Sequence, residues 1–266
     1  LQAVFQPFLP NGKELVMRII QITDIHIGAE GEVTRDVDVR GNFTAMLNLA
    51  VDLQPDYLVF SGDLCYSTAN AGNYRWIRAQ IEALSLPYDI IPGNHDETSL
   101  MAKSFDRTHL LLPSGEMAFE RSMAGCRFLF LDTSTATLSE AQTDWLAARL
   151  QHADQRQIIF MHHPPLKAGV PFMDNKYALQ NPDTFLAVVA AHPQLPVHVF
   201  CGHYHVDKTV HAGHLHVHIT PSTFFQIDGF REDFGIDHYR PGMRVIDLSE
   251  DGAFIHTVKY LDVAGW

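Results

Sequence analysis

Five apolar stretches of this chain each run out into a short polar motif, and that repeated junction narrows the possible folds more than any other feature. Val16 to Thr23 is rich in β-branched residues and ends at Asp24-Ile25-His26. Tyr57 to Phe60 runs into Ser61-Gly62-Asp63, and Tyr88 to Ile91 into Pro92-Gly93-Asn94-His95. Gln157 to Met161 precedes His162, and Pro196 to Phe200 precedes Cys201-Gly202-His203-Tyr204-His205. Short apolar runs bounded by Gly and Pro predict buried strands. Between the first three lie segments with helical spacing. Gly41 to Leu53 puts Phe43, Met46, Leu47 and Ala50 on one face, and Tyr74 to Leu84 is the second. A β-α-β-α-β order predicts a parallel sheet between helices. Ligands bind such sheets at the carboxyl ends of the strands, so motifs far apart in sequence are expected to converge on one edge.

The second half repeats this logic less regularly. Met117 to Met123 and Cys126 to Leu131 read as an antiparallel pair around Ala124-Gly125. Ser139 is placed to cap a helix running to Leu150, with Gln142 as its capping-box partner. Pro182 to Ala191 reads as a helix. Val206 to His211, Leu215 to Thr220, Met243 to Leu248 and Phe254 to Leu261 read as strands. No linker, repeat or low-complexity run divides residues 1–266, which predicts a single domain of two packed sheets flanked by helices. Two long segments, near 164–182 and 222–242, are rich in turn residues and aromatics, as lids and binding walls are. Their Phe172, Met173, Phe224 and Phe225 either stack on a base or cover the site, or pack on their own loops or at a subunit interface.

Composition bounds the partners. The formal net charge of -12 disfavours nucleic acid as a ligand. No apolar run reaches the roughly 18 residues of a membrane span. Three cysteines without a CxxC, and an N-terminal stretch without a basic-then-apolar pattern, fit a reducing cytoplasm. Of the 16 histidines, His211, His214, His216 and His218 fall after the last motif. The last three alternate, which predicts a solvated or partner-facing strand rather than a second metal site.

The motifs offer carboxylates, imidazoles and an amide oxygen, a donor set suited to Zn, Mn or Fe, with Co also accepted. An Asp whose two oxygens point to different ions can bridge them, and Asp63 is the natural candidate. Gly62, Gly93 and Gly202 precede Asp63, Asn94 and His203, and are expected to form tight turns that aim the next side chain.

Asp24-Ile25-His26, Gly62-Asp63, Gly93-Asn94-His95-Asp96, His162-His163-Pro164 and Gly202-His203-Tyr204-His205 resemble, in order, the motifs of the calcineurin-like metallophosphoesterases. The resemblance implies a four-layer α/β/β/α sandwich of two mixed sheets and a centre of two divalent or trivalent metal ions. It implies that Asp24, His26 and His205 hold one ion, that Asn94, His162 and His203 hold the other, and that Asp63 bridges. His163 and Asp96 stand beside these groups as supporting residues, Asp96 to orient His95. Asn94, His95 and His205 are the expected substrate contacts. The implied chemistry is in-line attack on phosphorus by a hydroxide held between the ions, with His95 protonating the leaving oxygen.

Protein phosphatases of that superfamily carry an arginine soon after the bridging Asp. Here Asp63 is followed by Leu64-Cys65-Tyr66 and no arginine occurs before Arg75, which favours a monoanionic diester. His162 to Gly169, Thr220-Pro221-Ser222-Thr223 with Gln226, and Arg240 to Arg244 resemble segments of bacterial class III cyclic-nucleotide phosphodiesterases. A related glycerophosphodiesterase shares the first block. The resemblance implies a small phosphodiester substrate, foremost 3',5'-cyclic AMP, and a dimer or larger homo-oligomer. A glycerophosphodiester or broad-specificity phosphodiesterase is the alternative, and a non-catalytic scaffold of the same fold is the alternative of another class.

Overall fold

A computed structural model of the chain describes residues 14–153, 155–249 and 253–261. The N-terminal stretch examined for a signal pattern lies almost wholly outside them. Elements follow in the order β1 (Leu15–Ile22), α1 (Val39–Asp52), β2 (Tyr57–Ser61), α2 (Ala71–Glu82), β3 (Tyr88–Ile91) and α3 (Thr98–Ser104). Next come β4 (Ala118–Met123), β5 (Cys126–Leu131), α4 (Glu140–Leu150), β6 (Gln157–Phe160), α5 (Pro171–Lys176), α6 (Pro182–Ala190) and β7 (Val197–Cys201). The chain closes with β8 (Lys208–Ala212), β9 (Leu215–Ile219), β10 (Gln226–Ile227), β11 (Ile236–His238), β12 (Gly242–Ser249) and β13 (Phe254–Tyr260).

Two mixed sheets form the middle of a four-layer arrangement. One has the order β13-β12-β1-β2-β3 and the other β4-β5-β6-β7-β9-β8. In the first, β1, β2 and β3 run parallel, as the β-α-β-α-β order requires, and β12 joins β1 antiparallel. In the second, β5, β6, β7 and β9 run parallel between antiparallel edges. Helices α2 and α3 pair beside the first sheet, and α4 and α6 pair beside the second. Phe43 of α1 meets Phe60 of β2 at 6.0 Å between ring centroids, so the apolar stripe of α1 faces its sheet.

The second sheet carries a ladder of rings. Phe119, Phe130, Phe160 and Phe200 stack at successive spacings of 4.4, 5.2 and 5.6 Å, and Phe200 reaches Phe254 of the other sheet. Each such buried ring contributes roughly 1.5–3 kcal/mol relative to exposure. Among the described residues no helix is long and apolar enough to cross a membrane.

Three local expectations change. Ser139 does cap α4, accepting from the Gln142 amide. The Gln142 side chain does not return the bond; it grips the backbone N–H and carbonyl of Asp132 and so ties α4 to the end of β5. The two long segments are not structureless, since they contain α5 and the β10–β11 pair. The histidine-bearing strand is not a solvated face. His218 is only 2% exposed, and His214 sits in the β8–β9 turn, against the Val189 carbonyl.

Candidate metal centre

The five motifs do meet at one end of the sheets. The chain beyond β1 runs alongside the chain beyond β2, with Asp24, His26 and Ile27 donating their amides to the carbonyls of Gly62, Asp63 and Leu64. The amide of His203, beyond β7, donates to both carboxylate oxygens of Asp24 at 3.2 and 3.0 Å. Two sheets are thereby joined at their functional edge by main-chain bonds to one side chain.

The backbone pays for this convergence. Asp24, His26, Asp63, His203 and His205 have φ of 53°, 47°, 51°, 67° and 51°. The left-handed region costs a non-glycine residue about 1–2 kcal/mol, and such strain gathers at functional sites. In both D-x-H and H-x-H the first and third residues share this conformation. The adjacent glycines act differently from expectation. Among the three only Gly62 is itself left-handed, with φ of 100°. Gly202 is needed for close approach: a Cβ there would lie 2.2 Å from Thr23 Oγ1 and 2.4 Å from Asp24 Oδ2.

The side chains form three groups whose ligand atoms lie within 4.8 Å of one another. They are Asp24, His26 and His205; Asp63, His162 and His203; and His26, Asp63 and His95. His205 Nε2 lies 3.3 Å from Asp24 Oδ1 and 3.1 Å from His26 Nε2. His162 Nε2 lies 3.3 Å from Asp63 Oδ2. Asn94 is exposed and lines the same cavity.

Three of the rings are oriented from behind. His162 Nδ1 sits 2.9 Å from the Ser61 carbonyl, His203 Nε2 2.8 Å from that of Tyr177, and His205 Nδ1 2.9 Å from that of Phe225. A carbonyl only accepts, so each of these nitrogens carries the proton and the other nitrogen presents a lone pair. Second partners of this kind set the tautomer of metal-binding histidines. His162 Nε2 is buried without a hydrogen-bond partner, as is His95 Nδ1.

Electrostatics agree. Asp24 and Asp63 are 0% and 2% exposed, and among the described residues neither is paired with Lys or Arg. Burial pushes the Asp24 carboxyl up, but His205 and His162 outweigh it and hold it at about 2. Asp63 is likewise raised by burial and held below its usual range by His162. Burial pulls His26 down to about 3 and His203 to about 4. His162 is lowered by burial yet pushed up to about 9 by Asp63 and Asp24. Two buried carboxylates without a Lys or Arg partner require a compensating positive charge, and here they draw a proton onto His162, the place a bound cation would fill. The donor set therefore fits metal ions.

The supporting residues act through the backbone. Asp96 does not reach the His95 ring. Its carboxylate accepts from the amides of Leu64, Cys65 and Gly93 and from the Tyr74 hydroxyl, lacing the Asp63 and Asn94 turns together. Burial and then Asp63 raise it to about 6. His163 is buried, bonds Thr133, and packs tilted against His203 with ring centroids 4.0 Å apart. His95 keeps its amide on Asp63 Oδ1, while its half-exposed ring packs edge-on to His26.

The cavity above these residues has a volume of about 690 Å³. Phe172, Met173, Phe224 and Phe225 all line it, while Phe172 also packs on Tyr177 and Phe224 on Phe225 within their own loops. Sequence reasoning missed Arg35, Tyr66, Tyr177 and Phe234, which reach it from four separate loops. No local pattern marks them, because their partners lie far away in sequence. Conversely, the Thr220 and Arg244 blocks are buttresses, not walls. Ser222 Oγ donates to the Asp24 carbonyl, Thr220 Oγ1 to Gln21, and buried Arg244 to Thr220.

Outside this centre, His198, His211, His216, His218 and His256 gather at the sandwich edge. His198 and His216 stack at 4.5 Å, and His198 Nδ1 lies 3.1 Å from His218 Nε2. Among the described residues these rings form no three-ligand group.

Comparison with known proteins gives a consistent result. The family model for calcineurin-like phosphoesterases matches residues 17–207. A Fibrobacter succinogenes protein named a probable cyclic nucleotide phosphodiesterase is 35% identical over 248 residues, covering 92% of this chain and 94% of the relative. The 3',5'-cyclic adenosine monophosphate phosphodiesterase CpdA of Escherichia coli is 29% identical, covering 95% and 93%. A probable glycerophosphodiester phosphodiesterase, GpdQ, of Arcobacter nitrofigilis is 25% identical, covering 73% of each chain. Among solved structures, a dimetal phosphatase from Danio rerio superposes with a TM-score of 0.63 at 16% identity, over 91% of this chain and 99% of that one, a likeness of fold.

Proposed function

We infer, from the premise that this chain belongs to the calcineurin-like phosphoesterase family, that it is a two-metal phosphodiesterase of 3',5'-cyclic nucleotides, cyclic AMP among them. That it hydrolyses phosphodiester bonds follows from the family and its relatives. The observation that carries the finer reading is the convergence of imidazoles and two buried carboxylates, neither with a Lys or Arg partner among the described residues, beneath an aromatic-walled cavity.

Asp24, His26 and His205 would hold one ion, His162, His203 and Asn94 the other, and Asp63 would bridge. Such a pair, when bound, acidifies water and neutralises phosphoryl oxygens. The protein's own residues do the rest. The carbonyls of Ser61, Tyr177 and Phe225 fix the tautomer and the aim of His162, His203 and His205. His95 sits at the cavity rim, with Nδ1 free of any protein partner. It is the group placed to give a proton to the departing oxygen. His95 also lies within ligand distance of His26 and Asp63, so metal content separates a proton donor from a ligand. Phe224 and Phe225 exclude water along one wall and offer faces to a base.

The test is turnover of cyclic AMP, bis(4-nitrophenyl) phosphate and a glycerophosphodiester by the metal-loaded protein. The reading predicts the highest kcat/KM on the cyclic nucleotide. Faster cleavage of the glycerophosphodiester would select the glycerophosphodiesterase alternative, which the GpdQ relative keeps in view. No turnover of any diester would leave only a scaffold.

A further inference from the structure

The cavity has a far wall that the chemistry at phosphorus does not use. Among its lining residues Arg35 is the single Lys or Arg. It lies in the loop between β1 and α1, where Arg35 and Asp36 are successive left-handed residues with φ of 51° and 59°. Its guanidinium carbon sits 4.8 Å from the Phe234 ring centroid and 5.9 Å from that of Phe225. Phe225 in turn lies 5.0 Å from the His205 ring, so two ring contacts connect the metal centre to this cation.

Arg35 has no structural task that accounts for this placement. Other arginines of the chain are committed: Arg18 to Asp247, Arg121 to Asp89, Arg244 to Asp207, and Arg40 to the Gly28 carbonyl while stacked on Trp76. Among the described residues Arg35 makes no hydrogen bond and no ion pair. Its guanidinium carbon lies over two phenylalanine rings and its side chain is exposed, so its N–H groups are left for a ligand.

We propose that Arg35 reads the base of a cyclic nucleotide whose phosphate lies at Asp63, Asn94 and His95, and that it makes the cavity favour guanine over adenine. The inference rests on the cyclic-nucleotide reading above. A guanidinium has five donors and no acceptor. Guanine presents O6 and N7 along one edge, both acceptors, and takes a two-pronged bond. Adenine offers N7 beside the N6 amino group, so one prong meets a donor. Its position over Phe234 and Phe225 restrains the guanidinium beforehand, which lowers the entropy lost on binding.

The test compares kcat/KM for cyclic GMP and cyclic AMP in the manganese-loaded full chain and in Arg35→Ala and Arg35→Lys. Bis(4-nitrophenyl) phosphate, which carries no base, reports the competence of the metal centre in each protein. The expected wild-type preference for cyclic GMP is at least about fivefold. Both substitutions bring the ratio to within about twofold of unity, with the loss in KM for cyclic GMP rather than in kcat. Lysine fails to rescue because it keeps the charge and loses the fork. A ratio unmoved by either substitution, or a wild-type preference for cyclic AMP, overturns the proposal and leaves the cyclic-nucleotide reading standing. Turnover of bis(4-nitrophenyl) phosphate with neither cyclic nucleotide cleaved overturns that reading, and this proposal with it.

Discussion

At the strand ends, His162, His203 and His205 each give one ring nitrogen to a backbone carbonyl and present the other toward the space around Asp24 and Asp63. At the sandwich edge, His198, His211, His216, His218 and His256 use their nitrogens on one another, on Thr209 and on Arg244. The residue type is the same, and so is the burial at its deepest members. What differs is where the lone pairs go. The first group is incomplete without a cation, and the second closes on itself. Counting histidines says little about metals; the direction of the unprotonated nitrogen says most.

The largest expected effect breaks the first group. Asp63→Asn removes a buried charge that faces His26, His95 and His162, and should lower kcat by at least about 1,000-fold, as expected when metal charge stabilisation worth several kcal/mol is lost. Steady-state kinetics with metal analysis checks it. A kcat within tenfold of wild type would remove Asp63 from the centre.

His95→Ala comes next. A drop in kcat of about 100- to 10,000-fold with metal retained is expected of a lost proton donor. Loss of metal in that variant would make His95 a ligand instead.

The second group gives a smaller, pH-dependent effect. Burial lowers His198 to about 3 and His256 to about 4, against about 6.5 in an unfolded chain. His256 Nδ1 accepts from the Arg244 guanidinium at 2.8 Å, with Asp207, His198, His211, His216, His218 and Arg156 also nearby. Protonating it would set a donor against a donor. Both folded pKa values are depressed, so the unfolded state binds more protons below pH about 6.5. Stability is then complete above that pH and falls as pH drops toward 4. Urea unfolding across this range should show that slope, and His256→Phe should make it shallower. An unchanged slope would place the acid sensitivity elsewhere.

The smallest effect is on His211, an exposed residue paired with His216 across β8 and β9. His211→Ala should leave kcat within about twofold and stability within about 0.5 kcal/mol, as surface substitutions do.

The contrast also explains what could be read in advance. The strand ends were legible because an apolar run that stops at Asp24, Asp63 or His203 encodes both the strand and the turn. The carbonyls of Ser61, Tyr177 and Phe225 were not, because every residue has one and only the fold says where it points. His218 was misjudged for a related reason. Alternation on β9 reveals which side chains share a face, but the ring that covers His218 belongs to His256 on β13, in the other sheet. The Thr220 and Arg244 blocks were legible only as a family resemblance; that they hold up the Asp24 turn from behind took the fold to show. Arg35 left no trace, because Phe225 and Phe234, which position it, come from the far end of the chain.

Metal content tests the central contrast most directly. After reconstitution and removal of excess metal, the wild type should retain close to two ions per chain. His162→Ala should retain fewer, and His216→Ala the same number as wild type. Fewer than one ion in the wild type, or loss caused by His216→Ala and not by His162→Ala, would contradict the account.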